Sequence, residues 1–421
     1  MERRIFIKKS SSLTIGAGYF ATLRSIIDDA ARHRRKNLLL CSSWQTINIG
    51  DIAHTPGVLA LCEKYLPDVD VTLWPSDVGR GVKEMLMNRF PKLTILDPQE
   101  TTSISSAFEK ADFLLHGSGP YLVGTRKLVQ WVRETGKPYG VYGISLPKEK
   151  ATEQVIELLN GANFVFFRDS VSLEFAKELD LKVPIKEFGP DGAFAVDVRN
   201  DQAAETFIRK HDLSVGQFFC VIPRYRKTPE WRIPSKKKPV DHQWEKIIEE
   251  QATVDLKPYR EAITRVIRET PMKVLICPED MTQMRLGKEH LYDPLPEDVK
   301  KRVVLREEFW LTDEALSTYI RSAGLFGLEM HSPIMCIGNG VPALVGRFKE
   351  QTTKGFMWKD IGLSEWLFDS DTTFDLEQLI PTILWLANHP TAAKKKAAEA
   401  QRIVQRRQSQ TMQVLRNELY A

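Results

Sequence analysis

Two side chains that can move protons, Glu329 and His331, follow the short apolar run at residues 325–328. Ser332 and Pro333 come next, and a serine before a proline is typical of the first turn of a helix. A carboxylate near an imidazole favours the protonated ring, which is the form that a general acid needs. We therefore interpret His331 as the acid, and Glu329 as the base or as the group that raises the pKa of His331.

A structural role is the alternative for this pair. Glu329 would then face a basic residue such as Arg321, and His331 would cap a helix or hydrogen-bond the backbone. The other histidines, His54 among them, lack comparable flanking residues. We identify no group of residues with metal-ligand spacing, so the sequence predicts neither a metal nor another cofactor.

Candidate cations stand at predicted strand ends. Arg168 and Arg224 each follow an apolar run, and Lys349 lies soon after the last one. Arginine suits the binding of a carboxylate or a phosphate because its planar fork pairs with two oxygens at once. For Arg168, a structural ion pair with Asp191 accounts for the sequence equally well.

A small turn follows another predicted strand. Gly117, Ser118 and Gly119 come directly after residues 113–116. Two glycines around a serine can present backbone amides to an anion. A tight turn with no ligand explains the same residues.

The loop after the first predicted strand also has suitable chemistry. Asn48 and Asp51 can hydrogen-bond hydroxyl groups, and Gly50 lets a neighbouring group approach the backbone closely. The alternative for Asn48 is a simple helix cap, because asparagine is a favoured residue there.

Short apolar runs that alternate with helical patterns position these residues. Such alternation predicts an α/β fold with parallel sheets that carry helices on both faces. Ligands of such sheets bind beyond the carboxyl ends of the strands. We expect two Rossmann-like domains that face a cleft, over residues 37–200 and 214–374, and helices over 375–421.

Composition and charge exclude several classes of protein. The chain has 421 residues, 43% of them hydrophobic and 27% charged, which is ordinary for a globular protein. The net charge is +4, but residues 1–36 hold nine Lys and Arg against three acidic residues, so the rest sums to about −2. The protein therefore lacks the basic footprint of a nucleic-acid binder, and its five scattered cysteines give no disulfide framework.

The basic arm at residues 1–36 carries a targeting pattern. Arg3 and Arg4 precede a modestly apolar stretch that is too short to span a bilayer. We interpret the arm as a twin-arginine export signal, which places the protein in the periplasm or outside. The alternative is a basic arm that stays on a cytoplasmic protein. No other segment has the length and hydropathy of a transmembrane helix.

Six segments, taken in order, resemble the polysaccharide pyruvyl transferase family. The resemblance covers about residues 38–350, and its specificity lies in the whole series. The segments are Asn48-Ile-Gly-Asp51, Ala111-Asp-Phe-Leu-Leu-His-Gly-Ser-Gly119, Gly140-Val-Tyr-Gly-Ile144, Phe167-Arg-Asp-Ser-Val-Ser172, Asp191-Gly-Ala-Phe194, and Met330-His331 through Gly340-Val-Pro342.

The resemblance implies a GT-B-like fold and the transfer of an enolpyruvyl group from phosphoenolpyruvate to a saccharide, which forms a pyruvate ketal. It places Arg168 and His331 among the donor and catalytic positions, and it adds Asp169, Ser172 and Asp191 to the cleft. Glu329 stands where the family has an arginine.

Two other functions fit the same architecture. One is a glycosyltransferase that uses a nucleotide sugar in the same cleft. The other is a saccharide-binding protein that kept the fold and lost catalysis, because a fold does not determine its function.

Overall fold

The computed structural model describes residues 35–351 and 353–421. Its first sheet is parallel throughout, in the order β3-β2-β1-β4-β5-β6-β7. The strands are β1 (Lys36–Ser42), β2 (Val69–Pro75), β3 (Thr94–Ile95), β4 (Phe113–His116), β5 (Tyr139–Ile144), β6 (Phe164–Phe167) and β7 (Ile185–Phe188).

The second sheet is also parallel, in the order β10-β9-β8-β11-β12-β13. Its strands are β8 (Phe218–Ile222), β9 (Lys273–Ile276), β10 (Val303–Leu305), β11 (Gly324–Gly327), β12 (Ala343–Arg347) and β13 (Leu367–Asp369). Two parallel sheets, one of seven strands and one of six, confirm the predicted fold class.

Helices connect the strands and cover the sheets. Those of the first half are α1 (Ile49–Tyr65), α2 (Val82–Arg89), α3 (Thr101–Lys110), α4 (Thr125–Thr135), α5 (Glu153–Asn160), α6 (Ser170–Glu178) and α7 (Asp201–Lys210). Those of the second half are α8 (His242–Asp255), α9 (Lys257–Glu269), α10 (Gln283–Leu286), α11 (Glu297–Lys300), α12 (Thr312–Tyr319), α13 (His331–Gly338), α14 (Met357–Asp360), α15 (Thr373–Asn388) and α16 (Pro390–Tyr420).

Alternation along the first sheet shows that both of its faces are covered. In β1, Leu38 and Leu40 pack in one core, whereas Leu39 and Cys41 pack in another on the opposite face. Successive side chains of a strand point to opposite faces, so a strand buried on both sides must be apolar at every position. This is the physical reason for the uninterrupted apolar runs in the sequence.

The two halves meet through α1 and α13. The backbone amide of Ile49 donates to the carbonyl of Glu279 at 2.9 Å, and that of Met281 donates to the carbonyl of Ile47 at 3.2 Å. A Cβ added at Gly338, at the end of α13, would overlap the carbonyl oxygen of Phe194. The halves therefore approach at backbone distance beside the strand ends.

The long helix α16 returns to the first half. The side chain of Arg416 pairs with Asp68 at 2.8 Å, and the hydroxyl groups of Tyr142 and Thr411 lie 3.1 Å apart in the core. Near its beginning, the side chain of Gln401 donates to the carbonyl of Gly338 at 2.6 Å. This one helix therefore holds both halves in a common frame.

The predicted export signal lies in residues 1–34, outside the described residues, and it stays a prediction. Across the described ranges, no helix combines the length and the apolar character that crossing a membrane requires.

Replacing Gly338 by alanine should disturb the contact between the halves. The added methyl group collides with backbone, which cannot rotate away as a side chain can, so we expect the variant to lose about 1–3 kcal/mol of stability. Thermal unfolding measures this loss. Gly79→Ala is the control, since Gly79 lies in an exposed turn where the added Cβ meets only a side-chain oxygen of Asp77. Equal melting temperatures for both variants would contradict the close approach.

Candidate functional site

A cleft of about 520 Å³ lies between the two halves, beyond the carboxyl ends of their strands. The loop after β1 forms one wall, and the loops after β8, β9 and β11 form the other. The polar side chains that line the cleft on both walls include Asn48, Asp51, Arg224, Asp280, Glu329, His331 and Lys354.

The beginning of α1 positions the first wall. Asn48 caps the helix, and its side-chain oxygen accepts from the amides of Gly50 at 2.7 Å and Asp51 at 3.1 Å. A Cβ at Gly50 would overlap the side chain of His331. Asn48 is therefore both a helix cap and a cleft residue, and Gly50 provides the close approach that the sequence predicted.

His331 begins α13 and reaches across to this wall. Its Nδ1 lies 3.4 Å from Glu279 Oε1 and 3.9 Å from Asp51 Oδ1. Burial lowers the pKa of His331 to about 4, and the nearby Asp51 does not offset this effect. The imidazole is therefore neutral near pH 7, contrary to the expectation that a carboxylate keeps it protonated.

Glu329 does not pair with His331. Its carboxylate forms an ion pair with Arg224 and accepts from Gln283 Nε2 at 2.7 Å. The backbone of Met330 is already helical, with φ −109° and ψ −37°, so the alternation of a strand stops before His331. Arg321 is also not its partner, because that side chain pairs with Asp201 and Glu205.

Arg168 and Asp191 form the structural ion pair that was the alternative. The guanidinium Nη1 lies 2.6 Å from Asp191 Oδ2, and both side chains are fully buried. Asp191 Oδ1 lies 2.8 Å from His54 Nδ1, and Ser118 Oγ lies 2.8 Å from the same nitrogen. Burial would raise the pKa of Asp191, but His54 and Arg168 outweigh it and hold that pKa far below its usual range. Arg168 is therefore a buried structural residue behind the wall of the cleft.

Asp169 and Ser172 serve local structure next to this pair. Asp169 caps α6 by accepting from the amide of Ser172 at 2.8 Å, and it also accepts from Ser145 Oγ at 2.7 Å. Ser172 Oγ in turn accepts from the amide of Leu146 at 2.9 Å. These buried residues hold β5 and β6 at the edge of the site.

The turn at residues 117–119 does not form the predicted anion cradle. The amide of Gly117 donates to the carbonyl of Cys41 at 2.9 Å, and that of Gly119 donates to the carbonyl of Gly143 at 3.3 Å. Both amides are thus occupied by backbone carbonyls. The turn contributes Ser118, which contacts His54.

Lys354 takes the place that the sequence analysis assigned to Lys349. Lys349 is exposed and does not line the cleft, whereas Lys354 does. Within residues 35–351 and 353–421, no carboxylate lies within ion-pair distance of Lys354. Burial, together with repulsion by Arg168 and Arg224, lowers its pKa.

Sequence reasoning missed three site residues: His54, Glu279 and Lys354. His54 lies three residues after Asp51 on α1, and that spacing brings side chains to the same face of a helix. A search for this spacing after the first strand would have found it. The sequence also predicted no cluster of metal ligands. In the structure, the ligand atoms of Asp51, His54 and His331 lie within 4.8 Å of one another.

A family model described as polysaccharide pyruvyl transferase matches residues 48–345, which is more than half of the chain. The chain belongs to the polysaccharide pyruvyl transferase family. No curated protein matches it.

Solved structures show which fold this pyruvyl transferase family member has. UDP-GlcNAc 2-epimerase from Methanocaldococcus jannaschii matches with a TM-score of 0.55 at 12% identity, over 88% of this chain and 98% of that one. UDP-GlcNAc 2-epimerase from Neisseria meningitidis matches at 0.52 and 11%, over 91% and 100%. A UDP-glucosyltransferase from Polygonum tinctorium matches at 0.52 and 9%, over 92% and 99%. These likenesses confirm the GT-B-like fold.

The buried network around Asp191 yields a stability prediction. Asp191→Asn should lower the free energy of unfolding by about 3–5 kcal/mol, because it leaves the buried charge of Arg168 uncompensated. Chemical denaturation measures the loss. The matched control is Asp197→Asn, which removes a partly exposed partner of Arg89 and should cost no more than about 1 kcal/mol. A small effect at Asp191 would mean that Arg168 has another counter-charge.

Proposed function

We propose that this protein transfers the enolpyruvyl group of phosphoenolpyruvate to a saccharide and forms a pyruvate ketal. A sugar hydroxyl oxygen adds to the enol carbon C2, and a proton adds to the methylene carbon C3. A second hydroxyl then displaces phosphate at C2, so that the products are the ketal and inorganic phosphate. Family membership supports a transferase with a saccharide substrate, and the charges of the cleft support the donor.

The observation that carries the choice of donor is the uncompensated charge of Lys354. This ammonium shares the cleft with Arg224, and among the described residues no carboxylate lies within ion-pair distance of it, although Asp51 and Glu329 attract it from farther away. Burial and repulsion from the two arginines destabilise its charged form. A small ligand with several negative charges relieves this repulsion, and phosphoenolpyruvate carries both a phosphate and a carboxylate.

Different residues would bind the donor and transfer the proton. Lys354 and Arg224 hold the phosphate and the carboxylate of the donor, as charge-assisted hydrogen bonds to oxyanions require. His331 remains our candidate for the proton transfer, near Asp51: because its imidazole is neutral near pH 7, it would take the proton of the attacking sugar hydroxyl and pass a proton on to C3. Glu329 is a positioning residue rather than a catalytic one, because it acts on the donor through Arg224.

Arg224 also accounts for the departure at position 329. The family has an arginine there, whereas this chain has Glu329, with Arg224 from the end of β8 paired to it. The guanidinium thus reaches the same place from a neighbouring strand. Because Glu329 partly neutralises Arg224, Lys354 gains importance as the cation for the donor.

Ligand binding separates this function from the two alternatives. We expect phosphoenolpyruvate to raise the melting temperature of the full-length protein, since a ligand that binds only the folded state stabilises it. Stabilisation by nucleotide sugars alone would instead indicate a glycosyltransferase. Saccharide binding without phosphate release in the presence of phosphoenolpyruvate would indicate a catalytically silent protein.

Lys354→Gln should weaken the binding of phosphoenolpyruvate by about 10-fold or more, because a charged hydrogen bond contributes about 1.5–3 kcal/mol. Calorimetric titration measures the change in dissociation constant. Lys349→Gln is the matched control, since it removes the same charge from the same loop outside the cleft. Equal affinities in the two variants would overturn the assignment of Lys354.

A further inference from the structure

Three side chains around Asp51 each have a buried polar atom with no hydrogen-bond partner. These atoms are His54 Nε2, Glu279 Oε1 and His331 Nε2, and the other nitrogen of His331, Nδ1, is the one that faces Glu279 and Asp51. An unpartnered buried polar atom is costly, and a group of them in one place calls for an explanation. The carboxylate of Asp51 lies among these side chains, 3.9 Å from His54 Nε2 and 3.9 Å from His331 Nδ1.

Outer polar contacts fix the orientation of three side chains in this cluster, those of His54, Glu279 and Asp51. Asp191 lies 2.8 Å from His54 Nδ1, and an ionised carboxylate can only accept, so Nδ1 carries the proton and Nε2 presents its lone pair. Ser332 donates from its amide at 2.6 Å and its hydroxyl at 2.7 Å to Glu279 Oε2. Gln45 donates to Asp51 Oδ2. In each case the second atom of the group stays free.

The cluster holds two acidic side chains, Asp51 and the fully buried Glu279. Among the described residues, the cationic groups within ion-pair distance of them are the imidazoles of His54 and His331. The two neighbouring arginines already have partners, Arg168 in Asp191 and Arg224 in Glu329. One divalent cation would balance two carboxylates.

We propose that His54, His331 and Asp51, with Glu279 as a fourth ligand, bind one divalent first-row transition metal ion, for which Zn²⁺ is the best match. Two imidazole nitrogens with carboxylate oxygens form a common ligand set for this ion. The hydrogen bond from His54 to Asp191 is the carboxylate–histidine arrangement that orients metal ligands.

The distances fit this coordination. Zinc bonds of about 2.0–2.2 Å in a tetrahedron place ligand atoms about 3.4 Å apart. Here, His331 Nδ1 lies 3.4 Å from Glu279 Oε1 and 3.9 Å from Asp51 Oδ1. The ligand atoms of Asp51, His54 and His331 all lie within 4.8 Å of one another, so side-chain movements of about 1 Å would complete the site. The bare Gly50 leaves room for His331 beside it.

An ion at this place would act on the chemistry of the cleft. Asp51 and His331 both line the cleft, so the ion would lie in the wall of the cleft. Coordination through Nδ1 makes Nε2 of His331 the nitrogen that carries the hydrogen. The N–H group at Nε2 of His331 would then be a hydrogen-bond donor in a fixed position. The binding of the ion itself requires no particular donor or acceptor, so it can be tested without the transferase reaction.

The test uses untagged full-length protein that has been stripped with a chelator. Titration with Zn²⁺ should show one ion bound per chain, and Co²⁺ should give the visible spectrum of a nitrogen- and oxygen-ligated ion. We expect Asp51→Asn and His54→Gln each to weaken Zn²⁺ binding by about 100-fold, as the loss of a ligand does. Asp51→Asn is the milder change because Asp51 is only partly buried, so it tests the site even if His54→Gln does not fold.

His389→Gln is the matched control, since His389 is an exposed histidine that stacks on Trp385 and is distant in sequence from the residues that line the cleft. It should bind Zn²⁺ as the wild type does. A wild type that binds no stoichiometric ion, or an Asp51→Asn variant with unchanged affinity, would overturn the metal site. Phosphoenolpyruvate binding is measured separately on the stripped protein, so failure of the donor and failure of the ion give different results.

Discussion

The close approach of α1 and α13 is the constraint on which the rest of the site depends. Where these helices meet each other and the turn at residues 192–195, Gly50, Gly57 and Gly338 each stand where a side chain would overlap a neighbour. Because Asp51 and His54 lie on α1 and His331 begins α13, the spacing of the helices sets the spacing of the site. The glycines at this contact thus set the positions of the site residues, although they take no part in the chemistry.

Charged side chains of both signs line the cleft. The ion pairs of Arg168 with Asp191 and of Arg224 with Glu329 satisfy four buried groups and hold the walls in place. Among the described residues, Lys354 has no carboxylate within ion-pair distance, and the cationic groups within that distance of Asp51 and Glu279 are the imidazoles of His54 and His331. Low local dielectric makes such residual charge effective for binding. These charges are the basis on which we propose an anionic donor and a metal ion in the cleft.

The fold alone does not select this chemistry. Epimerases and a glucosyltransferase share the two facing sheets at identities of 9–12%, and what distinguishes this chain lies in the loops after its strands. Arg224 paired with Glu329 illustrates the point, because the loops after two neighbouring strands, β8 and β11, supply the two charges of this ion pair. Function follows from side chains that a common frame brings together.

The sequence by itself determined the parallel α/β architecture, since buried strands must be apolar throughout and polar loops must follow them, as at β1 and Asn48. It also indicated the family and the place of His331. Only the tertiary structure decided which side chains meet. Glu329 pairs with Arg224 because the backbone becomes helical at Met330. The cleft is lined by Lys354 and not by Lys349. His54 contributes to the site from within α1. Local pattern specifies an element and its exposed ends, whereas partners far apart in the chain are selected by packing between the two halves, which no local pattern contains.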